Sequence, residues 1–151
     1  MSAVFAGVLV VLTAIDIERR IVPNKIVLPV TAVVLVAQMV VHPDHRPEYV
    51  VATVGAGLFL LLPLLIYPAG MGLGDVKLAA MLGLYLGRAV APAIFVALIS
   101  GVLIGAVIIA RYGSAEGRKK GIPFGPWLSF GGLVGLFAGD AMVDWYLDTF
   151  T

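Results

Sequence analysis

The stretch Gly70-Met71-Gly72-Leu73-Gly74-Asp75-Val76-Lys77-Leu78 separates two long apolar runs with glycines and a carboxylate. A charged group at the end of a membrane segment is costly to bury and indicates a functional site by default. Glycine has no Cβ, so the chain can turn sharply there and another backbone can come close. The stretch therefore predicts a carboxylate on a turn between two membrane helices, with room for an extended peptide beside Gly70, Gly72 and Gly74.

Composition places the chain in a membrane. Of its 151 residues 61% are hydrophobic and 13% are charged, whereas soluble domains are about 45–50% apolar and about 25% charged. The length fits a single domain over 1–151. The net charge of +1, with no basic run interleaved with aromatics, predicts no nucleic-acid partner. The absence of cysteine excludes thiolate metal sites and a cysteine nucleophile.

The apolar residues fall into six runs separated by short polar segments. Only helices and closed barrels satisfy their backbone hydrogen bonds within lipid, so these runs predict an all-α, polytopic membrane bundle of about six transmembrane helices. The runs cover residues 2–15, 26–41, 49–69, 76–87, 93–110 and 127–143.

The distribution of Lys and Arg predicts the orientation in the bilayer. Six helices place successive loops on alternating sides, and the side richer in Lys and Arg is expected to be cytoplasmic. One side collects eight of the ten basic residues, against Arg46 and Arg88 on the other: Arg19, Arg20, Lys25, Lys77, Arg111, Arg118, Lys119 and Lys120. Both chain ends should then lie outside. Asp16, which follows the first run, should share the cytoplasmic edge with Asp75.

Two carboxylates at one edge form a candidate catalytic pair. When such groups share a site they cannot both ionise cheaply, so one acts as a base and the other as an acid. The ionised partner can activate water for attack on a peptide carbonyl, and the protonated one can stabilise the carbonyl oxygen. This chemistry needs no metal and no cofactor. Glu18 is the competing upstream carboxylate.

Further candidates flank the pair. Pro23 and Asn24 are typical of a helix start, with Asn24 as the N-cap. Lys77 either orients the glycine-rich turn or is a cytoplasmic anchor. Pro123 and Gly125 precede the last apolar run and are either helix-boundary residues or part of a substrate groove.

Three motifs in order resemble a known family. Asp16 is followed by Ile21-Val22-Pro23-Asn24, then come residues 70–78, and then Ile122-Pro123-Phe124-Gly125-Pro126-Trp127-Leu128. Together they resemble the type IV prepilin peptidases, which are membrane aspartic proteases of the GxGD type. The resemblance implies that Asp16 and Asp75 are the catalytic pair. It also implies that Pro23, Asn24, Pro123 and Gly125 shape the substrate groove. Gly72, Gly74 and Lys77 are the further candidates for binding the substrate or shaping the loop.

The resemblance also implies a substrate and a place of action. The expected substrates are prepilins or pilin-like precursors, whose short basic leader is cut just before an apolar helix. The expected place is the plasma (inner) membrane of a prokaryote, with the active site at the cytoplasmic face. Many family members begin with a cytoplasmic insert that carries paired cysteines and is associated with N-methylation. This chain resembles a short form without it, so if the substrate is methylated, another protein is expected to do it.

The residues leave one alternative of a different class. A non-enzymatic membrane transporter subunit or assembly scaffold would account for Asp140, Asp144 and Asp148, which recur every four residues along one helix face. The polar loop 42–48 contains metal-type ligands, but it is expected on the outer side, away from the pair. No metal site is therefore predicted there.

Overall fold

A computed structural model describes residues 2–19, 23–68, 71–119 and 123–151. Several positions of the predicted motifs, namely Ile21, Val22, Gly70 and Ile122, lie outside the described residues, as does the predicted end of the third run at Ala69. Asp16, Asp75, Lys77 and both prolines of the flanking motifs lie within them.

The described residues form six helices of 14 to 26 residues and one short helix, without strands, which confirms the all-α prediction. Two 3-10 turns lie at Pro43–His45 and Gly87–Ala89. In chain order the helices are α1 (Ser2–Arg19), α2 (Asn24–Val41), α3 (Arg46–Ile66), α4 (Leu73–Leu86), α5 (Val90–Tyr112), the short α6 (Ser114–Lys119) and α7 (Gly125–Phe150).

The outer surface of the bundle is apolar, as a surface facing lipid must be. Large hydrophobic side chains are exposed on several helices, among them Ile66 at 83% and Phe137 at 77%. In the described part of the chain, four stretches are long and apolar enough to cross a membrane: Asn24–Val41, Pro43–Ile66, Leu73–Tyr112 and Gly125–Phe150. The third comprises α4, a 3-10 turn and α5. A helix or bundle that is apolar all round belongs in a membrane, and this chain is a membrane protein.

Helix α4 occupies the middle of the bundle. It packs against α3, α2 and α7, and its buried side chains include Leu78, Met81 and Leu82. The crossing with α3 is close because Gly83 has no side chain: a Cβ there would lie 2.7 Å from the carbonyl carbon of Ala52. A backbone this close leaves no space for any side chain larger than hydrogen.

The turn from α4 to α5 closes the end of the bundle opposite the predicted pair. Gly87 has a φ of +56°, and the backbone N–H of Arg88 donates to Glu48 Oε1 at 2.9 Å. The Arg88 side chain forms ion pairs with Asp140 and Asp144, each at 3.1 Å. Two of the three carboxylates that the transporter alternative would account for are thus paired with one arginine.

Candidate active site

Asp16 lies at the end of an apolar stripe on α1. Phe5, Leu9, Leu12 and Asp16 are the buried residues of this helix, and their spacing of three or four residues places them on one face. Asp16 is only 4% exposed, whereas Glu18 is exposed. The helix continues through Arg19, so the carboxylate belongs to the bundle interior and not to a polar loop beyond the helix.

Asp75 belongs to the first turn of α4. The sequence predicted a break that extended through Asp75, with the helix beginning at Val76. The predicted first residue of this helix is wrong by three positions, because α4 begins at Leu73. Gly72 is the extended residue before the helix, and its N–H donates to Asp75 Oδ2 at 3.2 Å. The carboxylate therefore satisfies one of the amides that a helix start leaves without a partner. Gly74 is helical and Gly72 is exposed.

The two carboxylates meet at the start of α7, where Gly125 lies between them. A Cβ on Gly125 would lie 2.8 Å from Asp16 Cγ and 3.3 Å from Asp75 Oδ1. Asp16 Cγ and Asp75 Oδ1 are therefore no further apart than the sum of 2.8 and 3.3 Å, about 6.1 Å. Three segments that are distant in sequence build this site, and the glycine is required because a methyl group would occupy the carboxylate space.

Lys77 and Asn24 are joined by a hydrogen bond. Lys77 Nζ donates to Asn24 Oδ1 at 3.0 Å, which links the start of α2 to α4 two residues beyond Asp75. The predicted N-cap role of Asn24 is wrong, because its side-chain oxygen accepts from Lys77 while Pro23 occupies the cap position. The Pro23 carbonyl accepts from the N–H groups of Ile26 and Val27 at 3.0 and 3.1 Å.

The start of α7 is anchored on the side away from the carboxylates. Phe124 follows Pro123, and its carbonyl accepts from the Leu128 N–H at 3.0 Å. The Phe124 ring packs on α5, where it lies 3.5 Å from the Cβ position of Gly101. This packing fixes the position of Phe124, the residue directly before Gly125, on α5.

Sequence reasoning missed Ser129. This residue on α7 is 1% exposed, and its Oγ has no hydrogen-bond partner among the described residues; the same holds for Asp16 Oδ2 and Trp127 Nε1. The available signal was its position four residues after Gly125, which places both on one face of a helix.

The site brings two buried carboxylates together, and neither forms an ion pair with a described residue. The ion pairs of the described residues involve Arg88, at the other end of the bundle. Two buried carboxylates in one space cannot both be ionised cheaply, so such a pair is suited to sharing a proton. One acid and one base within about 6.1 Å of each other can act on a single water and a single carbonyl.

The comparisons with known proteins agree on one family. The family model described as the type IV leader peptidase family matches residues 3–110. Several curated proteins named "Prepilin leader peptidase/N-methyltransferase" are similar to this chain. The protein from Xanthomonas campestris is 31% identical over 97% of this chain and 52% of its own length. The one from Bacillus subtilis is 26% identical over 97% of this chain and 58% of its own.

A third relative, from Pseudomonas aeruginosa, is 33% identical over 92% of this chain and 49% of its own length. The chain thus spans about half the length of the curated relatives that it matches. No solved structure matches it.

Proposed function

This chain belongs to the type IV leader peptidase family, and we propose that it is a membrane aspartic endopeptidase that removes the leader of prepilins or pilin-like precursors. Asp16 and Asp75 are the catalytic pair of this proposal. The observation that carries it is the burial of both carboxylates against Gly125. Relatives of similar sequence carry the name "Prepilin leader peptidase/N-methyltransferase", which supports this substrate class.

The proposed reaction is hydrolysis by a shared-proton dyad. The ionised aspartate takes a proton from water, and the water oxygen forms a bond to the scissile carbonyl carbon. The protonated aspartate donates to the carbonyl oxygen, on which negative charge develops. When the intermediate collapses, the C–N bond breaks and the leaving amine takes the proton that the base received. Each aspartate ends ready for another cycle, and the dyad titrates as a unit.

We further propose that cleavage occurs at the cytoplasmic face of the inner membrane. The carboxylates lie at the end of the bundle where α1 ends and α4 and α7 begin. Alternating loops would put eight of the ten lysines and arginines on that side, and the positive-inside rule supports a cytoplasmic location for it. Water is available at this edge and absent from the hydrocarbon core. Carboxylates that activate water for hydrolysis are therefore expected at the edge.

A cleavage assay in membranes tests this proposal. The chain is co-expressed with a prepilin whose basic leader precedes an apolar segment, and the new N-terminus is sequenced. We expect wild type to cut before the apolar segment. Normal insertion without cleavage of several such precursors would contradict the proposal and favour the non-enzymatic scaffold or transporter alternative.

A further inference from the structure

The hydroxyl of Ser129 differs from the threonine hydroxyls of the described helices. Thr13, Thr31 and Thr53 each donate to the carbonyl four residues earlier in their own helix, at 2.6 to 2.7 Å. Ser129 makes no such bond, although Gly125 stands four residues before it and the side chain is 1% exposed. A buried hydroxyl without a partner is unfavourable because it has lost its hydrogen bonds to water, so its presence in the bundle interior calls for a function.

Two contacts place Ser129 opposite the last turns of α1. Gly125 faces Asp16, and seven residues later Gly132 faces Leu9, whose Cδ1 lies 3.3 Å from the Gly132 Cβ position. Leu9 comes seven residues before Asp16, so the two helices run antiparallel and remain in register for two turns. Ser129 lies between the two contacts, one turn beyond Gly125, and therefore opposite the turn between Leu12 and Asp16.

The directions of the side chains bring Ser129 and Asp16 towards each other. Helical side chains lean towards the N-terminus of their own helix. Ser129 thus leans along α7 towards Gly125, and Asp16 leans along α1 towards Leu12. Asp16 Oδ2 is itself buried without a partner. Trp127 Nε1 is also buried without a partner among the described residues, but Trp127 faces α5, where its Cδ1 lies 3.9 Å from the Cβ position of Gly101.

We infer that Ser129 is a positioning residue of the dyad, whose hydroxyl donates to Asp16 Oδ2 directly or through one water molecule. This inference rests on the proposed function. Ser129 would serve Asp16 as the Gly72 N–H serves Asp75 Oδ2, so each carboxylate would accept one hydrogen bond. A donated hydrogen bond stabilises the ionised carboxylate and holds it in a single orientation.

Among the residues that the structure describes, few charged groups face Asp16, so a pH profile reports on the pair. Asp75 is the carboxylate that faces it from α4, and Lys77 of α4 is bonded to Asn24 of α2. Helix α7 has no charged residue before Asp140. On α1 itself, Glu18 and Arg19 are exposed.

The test compares Ser129→Ala with Thr13→Val, a control whose hydroxyl is bonded to its own helix. For Ser129→Ala we expect kcat to fall roughly 10-fold with KM unchanged, since about 1.4 kcal/mol corresponds to a factor of ten. The acidic limb of the kcat/KM profile should move to higher pH by about half to one unit, because the ionised dyad loses a donor. Thr13→Val should leave both the rate and the profile unchanged.

An unchanged rate and profile in Ser129→Ala would overturn the inference while leaving the peptidase proposal in place. If the alanine variant does not accumulate, Ser129→Cys provides the test, since its thiol is a weak donor and the limb should move in the same direction. If the acidic limb of the kcat/KM profile of Ser129→Cys stays at the wild-type pH, the inference is overturned as well.

A second measurement separates the hydrogen bond from catalysis. Infrared titration follows the carboxylate band that Asp16→Asn removes, in purified wild type and in Ser129→Ala. A midpoint at higher pH in the alanine variant supports the hydrogen bond even if wild type cleaves no precursor, which would refute only the peptidase proposal. Identical midpoints refute the hydrogen bond itself.

Discussion

Asp16 in the last turns of α1 and Asp75 in the first turn of α4 lie against the same glycine, Gly125 of α7, which keeps Asp16 Cγ and Asp75 Oδ1 within about 6.1 Å. Both carboxylates are buried, at 4% and 7% exposure. The pair depends on three helix ends that converge at one edge of the bundle, and each end makes a separate contribution that mutation can test.

Replacement of either aspartate by asparagine should abolish cleavage. Asn keeps the shape of the side chain but neither takes a proton from water nor donates one as an acid, and general acid–base catalysis contributes typically 10²–10⁴-fold. We therefore expect Asp16→Asn and Asp75→Asn each to lower the cleavage rate at least 100-fold with normal insertion. The rate is measured as conversion of precursor in membranes.

The matched control for this prediction is Glu18→Gln. Glu18 lies on the same helix end as Asp16 but is exposed, so its amide variant should cleave at the wild-type rate. Full activity in Asp16→Asn together with inactivity in Glu18→Gln would assign the upstream carboxylate to Glu18.

Gly125→Ala should disable the site without unfolding the bundle. The added Cβ would lie 2.8 Å from Asp16 Cγ, so the carboxylate must rotate away, and displacements of about 1 Å at a catalytic group can cost 100-fold in rate. The control is Gly105→Ala on α5, where a Cβ meets no atom within 4 Å. A cleavage rate in Gly125→Ala equal to that of Gly105→Ala would refute the close approach.

Gly83→Ala should destabilise the fold, since the atoms that it meets are backbone atoms of α3 that cannot rotate away. A Cβ there would lie 2.7 Å from the Ala52 carbonyl carbon and 2.8 Å from the Thr53 nitrogen. Overpacking of this kind costs about 1–3 kcal/mol, seen as a lower unfolding midpoint in detergent micelles. Gly55→Ala on α3, which meets nothing within 4 Å, should leave the midpoint unchanged or raise it.

The hydrogen bond between Lys77 and Asn24 should appear as a coupling in a double-mutant cycle. With Lys77→Met and Asn24→Ala, we expect a coupling of about 0.5–1 kcal/mol in the free energy of unfolding, because the bond lies at an exposed edge. If the bond is the whole function of Lys77, both single variants should have similar KM values. A much larger KM in Lys77→Met alone would instead indicate that Lys77 contacts the substrate.

Much of this architecture follows from the sequence by itself. A high apolar content in six runs requires helices in a membrane, because an isolated strand would leave its backbone unsatisfied in lipid. The glycine-rich stretch and the upstream aspartate indicate a carboxylate pair at one membrane edge, because loops alternate between the two sides of a bundle. Local rules of this kind depend on spacing and composition alone.

Other features could be identified only from the tertiary structure. Small residues suit close helix packing in membranes, but a Cβ at Gly55 or Gly105 would meet nothing within 4 Å, whereas one at Gly131 would lie 2.9 Å from the Ala97 Cβ. Which glycine faces another helix depends on how each helix is rotated about its axis, and that rotation is set by packing across the whole bundle. The meeting of Asp16, Asp75 and Gly125, and the burial of Ser129 beside them, were decided in the same way, because three helix ends distant in sequence acquire a common space only when the bundle is assembled.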